Sequence, residues 1–189
     1  MTVGFHSQPF ERLLGWIEEI ARSGAVDESF LVQRGSSRFP MPHCAVVDFL
    51  EMDEFDRMMR ECRAVVCHAG TGSVIAALDA GKCPIVVPRR RRYQEAYHDL
   101  QPGVARELER RGLARFAESK EEVFRHLFAV QEDAHAVLYR PRNGLMLRLV
   151  DEFLRDVEKS SDRDRCWRTL RVFEAFATRR EKKDGQRDS

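Results

Sequence analysis

Apolar residues Phe10, Leu13, Leu14, Ile17 and Ala21 recur three and four positions apart with polar residues between them, which predicts an amphipathic helix. Ser7 is its expected cap, Pro9 lies near its first turn, and a very short strand, Thr2 to Val3, precedes it. The period then shortens. Phe30 to Gln33 and Ala45 to Leu50 read as strands, and Asp53 as the cap of a helix carrying Phe55, Met58, Met59 and Cys62. Ala64 to Cys67 is a short apolar strand, Ser73 to Ala80 a helix stopped by Gly81, and Pro84 to Pro88 a strand again, which together make a βαβ unit. Val104 to Arg111 predicts a helix ending at Gly112, and Leu113 to Phe116 a last strand. Ser119 and Glu122 form a capping-box pattern ahead of Val123, Leu127 and Phe128.

Parallel neighbours need crossover helices, so this alternation predicts a doubly wound, Rossmann-like α/β domain with a parallel sheet. Such sheets bind ligands beyond the carboxyl ends of their strands, which directs attention to the loops after Cys67 and Pro88. Past residue 128 the pattern becomes purely helical. Leu147, Val150, Leu154 and Val157 form one stripe, and Trp167, Leu170, Phe173 and Phe176 a second with many arginines and lysines nearby. The organisation read from the chain is a domain over 1–128, a helical extension over 129–180 and a disordered tail over 181–189. The second stripe packs on its own domain, docks on a partner subunit or lies on an anionic membrane surface.

Over 189 residues, 32 Lys and Arg face 31 Asp and Glu, and the net charge of +1 removes the field of a dedicated nucleic-acid binder. The charge is nonetheless segregated, because residues 159–189 hold ten Lys/Arg against six Asp/Glu. No apolar run is long enough to span a bilayer and no secretory leader pattern is present, so a cytoplasmic protein is expected, peripheral at the inner face of the membrane if a partner holds it there. Cys44, Cys62, Cys67, Cys83 and Cys166 are odd in number and include no CxxC pair, which argues for reduced thiols rather than a disulfide frame or a zinc ribbon.

His68-Ala69-Gly70-Thr71-Gly72-Ser73 joins a strand to a helix. The free N–H groups and positive dipole end of that helix form an anion seat, the two glycines admit a phosphate, and the Thr71 and Ser73 hydroxyls add donors. The alternative is that Gly70 and Gly72 only make a tight turn. A dinucleotide fingerprint would need a small residue where Ile75 stands and an acid where Pro88 and Arg89 stand, and no Gly-Lys-Ser/Thr tripeptide marks a Walker loop. Neither an NAD site nor that class of NTPase fits, and no cofactor or metal is called for. In the next loop, Arg89 follows its strand within reach of such an anion, while Glu95, Asp99 and Gln101 can hydrogen-bond hydroxyls. Arg90, Arg91 and Arg92 read as solvated surface. His6 is a candidate base or a structural turn residue, and His68 a loop organiser or a phosphate neighbour.

These stretches resemble the C-terminal, nucleotide-sugar-binding domain of glycosyltransferase family twenty-eight, and most of all its small free-standing members. Those are bacterial exopolysaccharide subunits and the cytosolic subunit of the two-part eukaryotic N-acetylglucosaminyltransferase. The likeness rests on Thr2-Val3-Gly4 with His6, Gln8 to Leu13, Val32-Gln33 with Gly35-Ser36, Val47 to Leu50, Val66 to Ser73 with Ala77-Leu78 and Gly81-Lys82, and Ile85 to Arg90 followed by Glu95, Asp99 and Gln101. It implies the C-terminal half of a GT-B enzyme that transfers a sugar with inversion. His68, Gly70, Thr71, Gly72 and Ser73 would then line the diphosphate of a UDP-sugar donor, with Glu95, Asp99 and Gln101 near the sugar. A membrane-anchored partner subunit would hold the lipid-linked saccharide acceptor. Ala76, Ala96 and Leu100 stand where family members often carry Glu or His, which keeps open a noncatalytic binding or regulatory protein on the same half-fold.

Overall fold

The computed structural model describes residues 1–132. Over that range the elements alternate: α1 (Glu11–Ser23), β1 (Leu31–Gln33), β2 (Ala45–Val47), α2 (Met52–Glu61), β3 (Val66–His68), α3 (Thr71–Asp79), β4 (Ile85–Val87), a 3-10 turn (Arg91–Tyr93), α4 (Gln101–Arg110), β5 (Arg115–Phe116) and α5 (Lys120–Glu132). The extension beyond Glu132, the tail, both C-terminal stripes and Cys166 lie outside the described residues.

Among the described residues, all strand pairings are parallel. β1 pairs with β2, Val32 opposite Val46, and β3, β4 and β5 pair in that order, with Cys67 and Phe116 both opposite Val86. The expected first strand is reduced to one paired residue, Thr2, which sits between Gln33 of β1 and Cys67 of β3 and joins the two sets. Main-chain bonds hold it on both sides, Thr2 N–H to the Val66 carbonyl at 3.0 Å and Val3 N–H to the Gln33 carbonyl at 3.1 Å. The Gln33 side chain reinforces the seam, donating to Thr2 Oγ1 at 3.0 Å and accepting from Leu50 N–H at 3.1 Å. A doubly wound Rossmann-like sheet results, with α1 packed against α5 and α2 against α3.

Apolar stripes seat the helices. Leu13, Leu14, Ile17 and Ile20 of α1 join Phe10, Val3, Val32, Val66, Ile85 and Val87 in one core, closed at its other end by Val123 and Leu127 of α5. Full burial of each such large side chain stabilises the fold by about 1.5–3 kcal/mol. Phe128, expected on the same stripe, is instead exposed at the edge of the α5 apolar face, while Val123 and Leu127 fill its centre.

Helix starts differ from expectation at four places. Ser7 does not cap α1: the helix follows Phe10, whose N–H donates to Ser37 Oγ at 2.8 Å. Asp53 does not cap α2 either; the helix opens at Met52 behind Glu51, two residues earlier than expected, which places Asp53 in its first turn. α3 opens at Thr71 behind Gly70, and α4 opens at Gln101 with Pro102 in its first turn, so both loops are shorter than predicted. The start of α5 is as predicted, with Glu122 N–H on Ser119 Oγ at 3.2 Å, although Glu122 Oε2 reaches back to Glu118 N–H at 2.7 Å rather than to that of Ser119. The C-terminal stop at Gly81 holds as read, with φ of 74° and bonds from Gly81 and Lys82 N–H to the Leu78 and Ala77 carbonyls.

Candidate anion site at the carboxyl edge

The loop after β3 turns directly into α3, whose first helical bond runs from Val74 N–H to the Gly70 carbonyl at 3.2 Å. The N–H groups of Thr71, Gly72 and Ser73 therefore precede the ladder and have no helical acceptor. They sit at the positive end of the helix dipole. Gly72 is exposed, and a Cβ added there would meet nothing within 4 Å, so the space over the turn is open.

Beneath that turn His68 fixes the geometry. A Cβ on Gly70 would lie 2.0 Å from His68 Nε2, and one on Gly4 would lie 2.3 Å from His68 Cε1. The ring therefore wedges between the loop after Thr2-Val3 and the loop after β3, and both loops need glycine at the contact. Gly4 adds a φ of 73°, which independently favours glycine. Burial, with Arg89 and His6 contributing, pushes the His68 pKa down to about 3, so the wedge is a neutral imidazole at ordinary pH.

Arg89 sits at the carboxyl end of β4 as expected, but its guanidinium turns inward and the residue is 0% exposed. Its Nη1 donates to the carbonyls of Gln8 at 2.8 Å, Glu95 at 3.1 Å and Pro9 at 3.3 Å, and its Nη2 to Val3 at 3.0 Å. The Phe10 ring lies 4.7 Å away. The expectation that Arg89 reaches out to grip an anion is corrected: four main-chain carbonyls engage it, and what it offers the loop above is a buried positive charge and a fixed scaffold. Burial lowers its pKa to about 10, still cationic at neutral pH.

The hydroxyl-binding candidates are likewise engaged, each on a successive N–H of the arginine run. Gln101 Oε1 accepts from Arg89 N–H at 3.0 Å, Glu95 Oε2 from Arg90 N–H at 2.9 Å, and Asp99 Oδ1 from Arg91 N–H at 2.9 Å. Glu95 is 3% exposed, and both its oxygens also accept from Arg12, each at 2.8 Å. His6 accepts Gln8 N–H on Nδ1 at 3.3 Å, so its neutral ring carries the proton on Nε2. Burial, then Arg89 and His98, hold its pKa below the ordinary imidazole value.

The structure thus brings His6, His68, Gly70, Thr71, Gly72, Ser73 and Arg89 to one end of the sheet, with Glu95, Asp99 and Gln101 organising the adjoining loop. Unanticipated there are Gln8 and His98. Gln8 Oε1, His98 Nδ1, His68 Nδ1 and Arg89 Nε are the buried side-chain polar atoms without a hydrogen-bond partner among the described residues. His68 lies against the glycine turn, the Gln8 main chain meets Arg89 and His98 lies near His6, so these atoms mark polar groups at this end of the sheet that the chain itself leaves unsatisfied. Sequence carried no sign of them, since Gln8 and His98 gain meaning only from the approach of segments some ninety positions apart.

A family model described as glycosyltransferase family 28 C-terminal domain matches residues 1–136. No curated protein matches the chain in sequence. Among solved structures, the glycotransferase of kitacinnamycin is similar at 18% identity and a TM-score of 0.50, covering 82% of this chain and 38% of its own. The glycosyltransferase SnogD from Streptomyces nogalater is 21% identical with a TM-score of 0.39, covering 80% of this chain and 43% of its own. The chain spans about two fifths of the length of either, and at such identities the likeness to the former is one of fold.

Proposed function

The chain belongs to the glycosyltransferase family 28 C-terminal domain family, and from that premise we propose that it is the donor-binding subunit of a two-component inverting glycosyltransferase. Its donor is a UDP-sugar, and with its partner it extends a lipid-linked saccharide in polysaccharide biosynthesis. The observation that carries the reading is the opening of α3: three helix-free N–H groups under open space at Gly72, with the buried Arg89 charge nearby. A diphosphate suits that seat by charge.

Transfer with inversion joins the acceptor oxygen to the anomeric carbon while the bond from that carbon to the diphosphate breaks, the electron pair leaving with UDP and the acceptor proton passing to a base. Stabilising the departing diphosphate falls to Thr71, Gly72 and Ser73 and to the field of Arg89. The base comes from the partner lobe, since the His6 Nδ1 lone pair is already engaged by Gln8. Asp99 Oδ2 and Gln101 Nε2 are the groups left to meet sugar hydroxyls. The partner, anchored in the membrane, holds this subunit at the cytoplasmic face; among the described residues no helix is long and apolar enough to cross a membrane.

A second reading, a binding or regulatory protein without transfer chemistry, draws on the engagement of both Glu95 oxygens by Arg12 and on Ala76, Ala96 and Leu100. Thermal melts in EDTA separate the two. UDP at one hundred times its dissociation constant adds about 2.7 kcal/mol to the stability of a chain that binds it. The donor reading predicts that gain with UDP and not with UMP, NAD or DNA, and its disappearance in Gly72→Asp, whose unliganded melt stays unchanged because the site is open. Silence of both the isolated chain and the reconstituted pair would favour the second reading.

A further inference from the structure

Arg12 lies on the first turn of α1, where a charged residue on the polar face of a helix ordinarily faces water. Here it is held on every side. Nε and Nη2 form a fork on Glu95, each bond 2.8 Å long, and Nη2 also donates to the Pro88 carbonyl at 2.9 Å. Its guanidinium carbon lies 4.7 Å from the Trp16 ring centroid, 4.9 Å from that of Tyr93 and 5.3 Å from that of Phe10. Planarity and five fixed donors make arginine the side chain that pairs a carboxylate bidentately and stacks on aromatic rings at once.

Pro88 and Glu95 bracket the loop that carries Arg89 to Arg92. Arg12 therefore grips both ends of that loop, and through Glu95 Oε2 it sets the Arg90 N–H. The loop's first residue, Arg89, in turn holds the Val3, Gln8 and Pro9 carbonyls. Because β4 pairs with β3, His68 opposite Val87, the loop adjoins the glycine turn. A single side chain on α1 so connects three loops at the carboxyl edge.

We propose that Arg12 is a positioning residue for the donor site: its fork on Glu95, clamped between Trp16 and Tyr93, fixes the Pro88–Glu95 loop, and with it the buried Arg89 charge, beside the glycine turn that receives the diphosphate. This rests on the donor reading above. Arg12 touches no reacting atom; it holds the scaffold on which the glycine turn sits, and small misplacements of a binding site are felt strongly.

The test measures UDP affinity by calorimetry and amide hydrogen exchange over residues 88–95 for the wild-type chain, Arg12→Met, Arg12→Lys and the core control Ile20→Ala. Arg12→Met is expected to weaken UDP binding roughly tenfold or more and to speed exchange at the Arg90 amide by a similar factor, relative to amides elsewhere. Arg12→Lys, which keeps the charge but not the fork, should fall between. Ile20→Ala should lower the melting temperature and leave both readouts at wild-type values. Equal affinity in Arg12→Met and wild type, or an equal loss in Ile20→Ala, would overturn the assignment to Arg12 alone. A wild-type chain that takes up no UDP would overturn the donor reading, and the role of Arg12 in binding with it.

Discussion

His68 and the two glycines around it form an interlock. A methyl group at Gly70 has to displace the ring, so Gly70→Ala should cost about 1–3 kcal/mol by overpacking. Removing the ring should relieve that cost, and the Gly70→Ala/His68→Ala pair, followed by urea denaturation, should lose less than the sum of the single variants; strict additivity would mean that the ring is not the obstacle. The same residue gives a pH signature. With a folded pKa near 3 against an ordinary value of 6.5, the unfolded chain binds one more proton than the folded one between those values. Stability from this group is therefore full above about pH 6.5 and declines as pH falls towards 3, by about 1.4 kcal/mol per pH unit. His68→Asn should flatten that part of the stability profile, and an unchanged slope would count against a ring held neutral in the fold. The glycine turn was legible from its residues alone, because strand, two glycines and helix are adjacent in the chain. The engagement of Arg89 was not, since its Val3 partner lies 86 positions away and exposure cannot be read from a run of four arginines.

At the scale of elements, the order of strands and helices was legible and their starts were not. Periodicity reports which face of a helix is apolar, whereas the first turn is fixed by whatever satisfies its free N–H groups. For α1 that partner is Ser37, 27 positions away, rather than the neighbouring Ser7. Ser37→Ala, which strips a buried N–H of its acceptor, should cost about 1–3 kcal/mol, and Ser7→Ala at its exposed site no more than about 0.5 kcal/mol. Matched denaturation curves decide this, and a larger loss for Ser7 would restore the local cap. The thin first strand has a similar origin: Thr2 draws its place from Gln33 and Cys67 on either side, so one bridged residue suffices where a free-standing strand would need more.

Across the whole domain, the parallel sheet gathers the loops that follow Val3, β3 and β4 at one edge, and the charged and polar groups there converge from segments far apart in sequence. With a near-neutral net charge, the donor reading draws on this local concentration rather than on any global field. The sequence pointed to the carboxyl edge because doubly wound sheets bind there, and the structure gathers the named residues at that edge. What it did not convey is the division of labour there, in which arginines and acids build the loops while the first-turn N–H groups of α3 are left without helical acceptors. The measurement that tests this most directly is a UDP titration of the full chain in EDTA, followed residue by residue through its amide NMR signals. The account predicts saturable shifts that are largest at Gly70, Thr71, Gly72 and Ser73, with smaller ones over Pro88 to Glu95. Saturable shifts centred elsewhere, with the glycine turn unmoved, would contradict it.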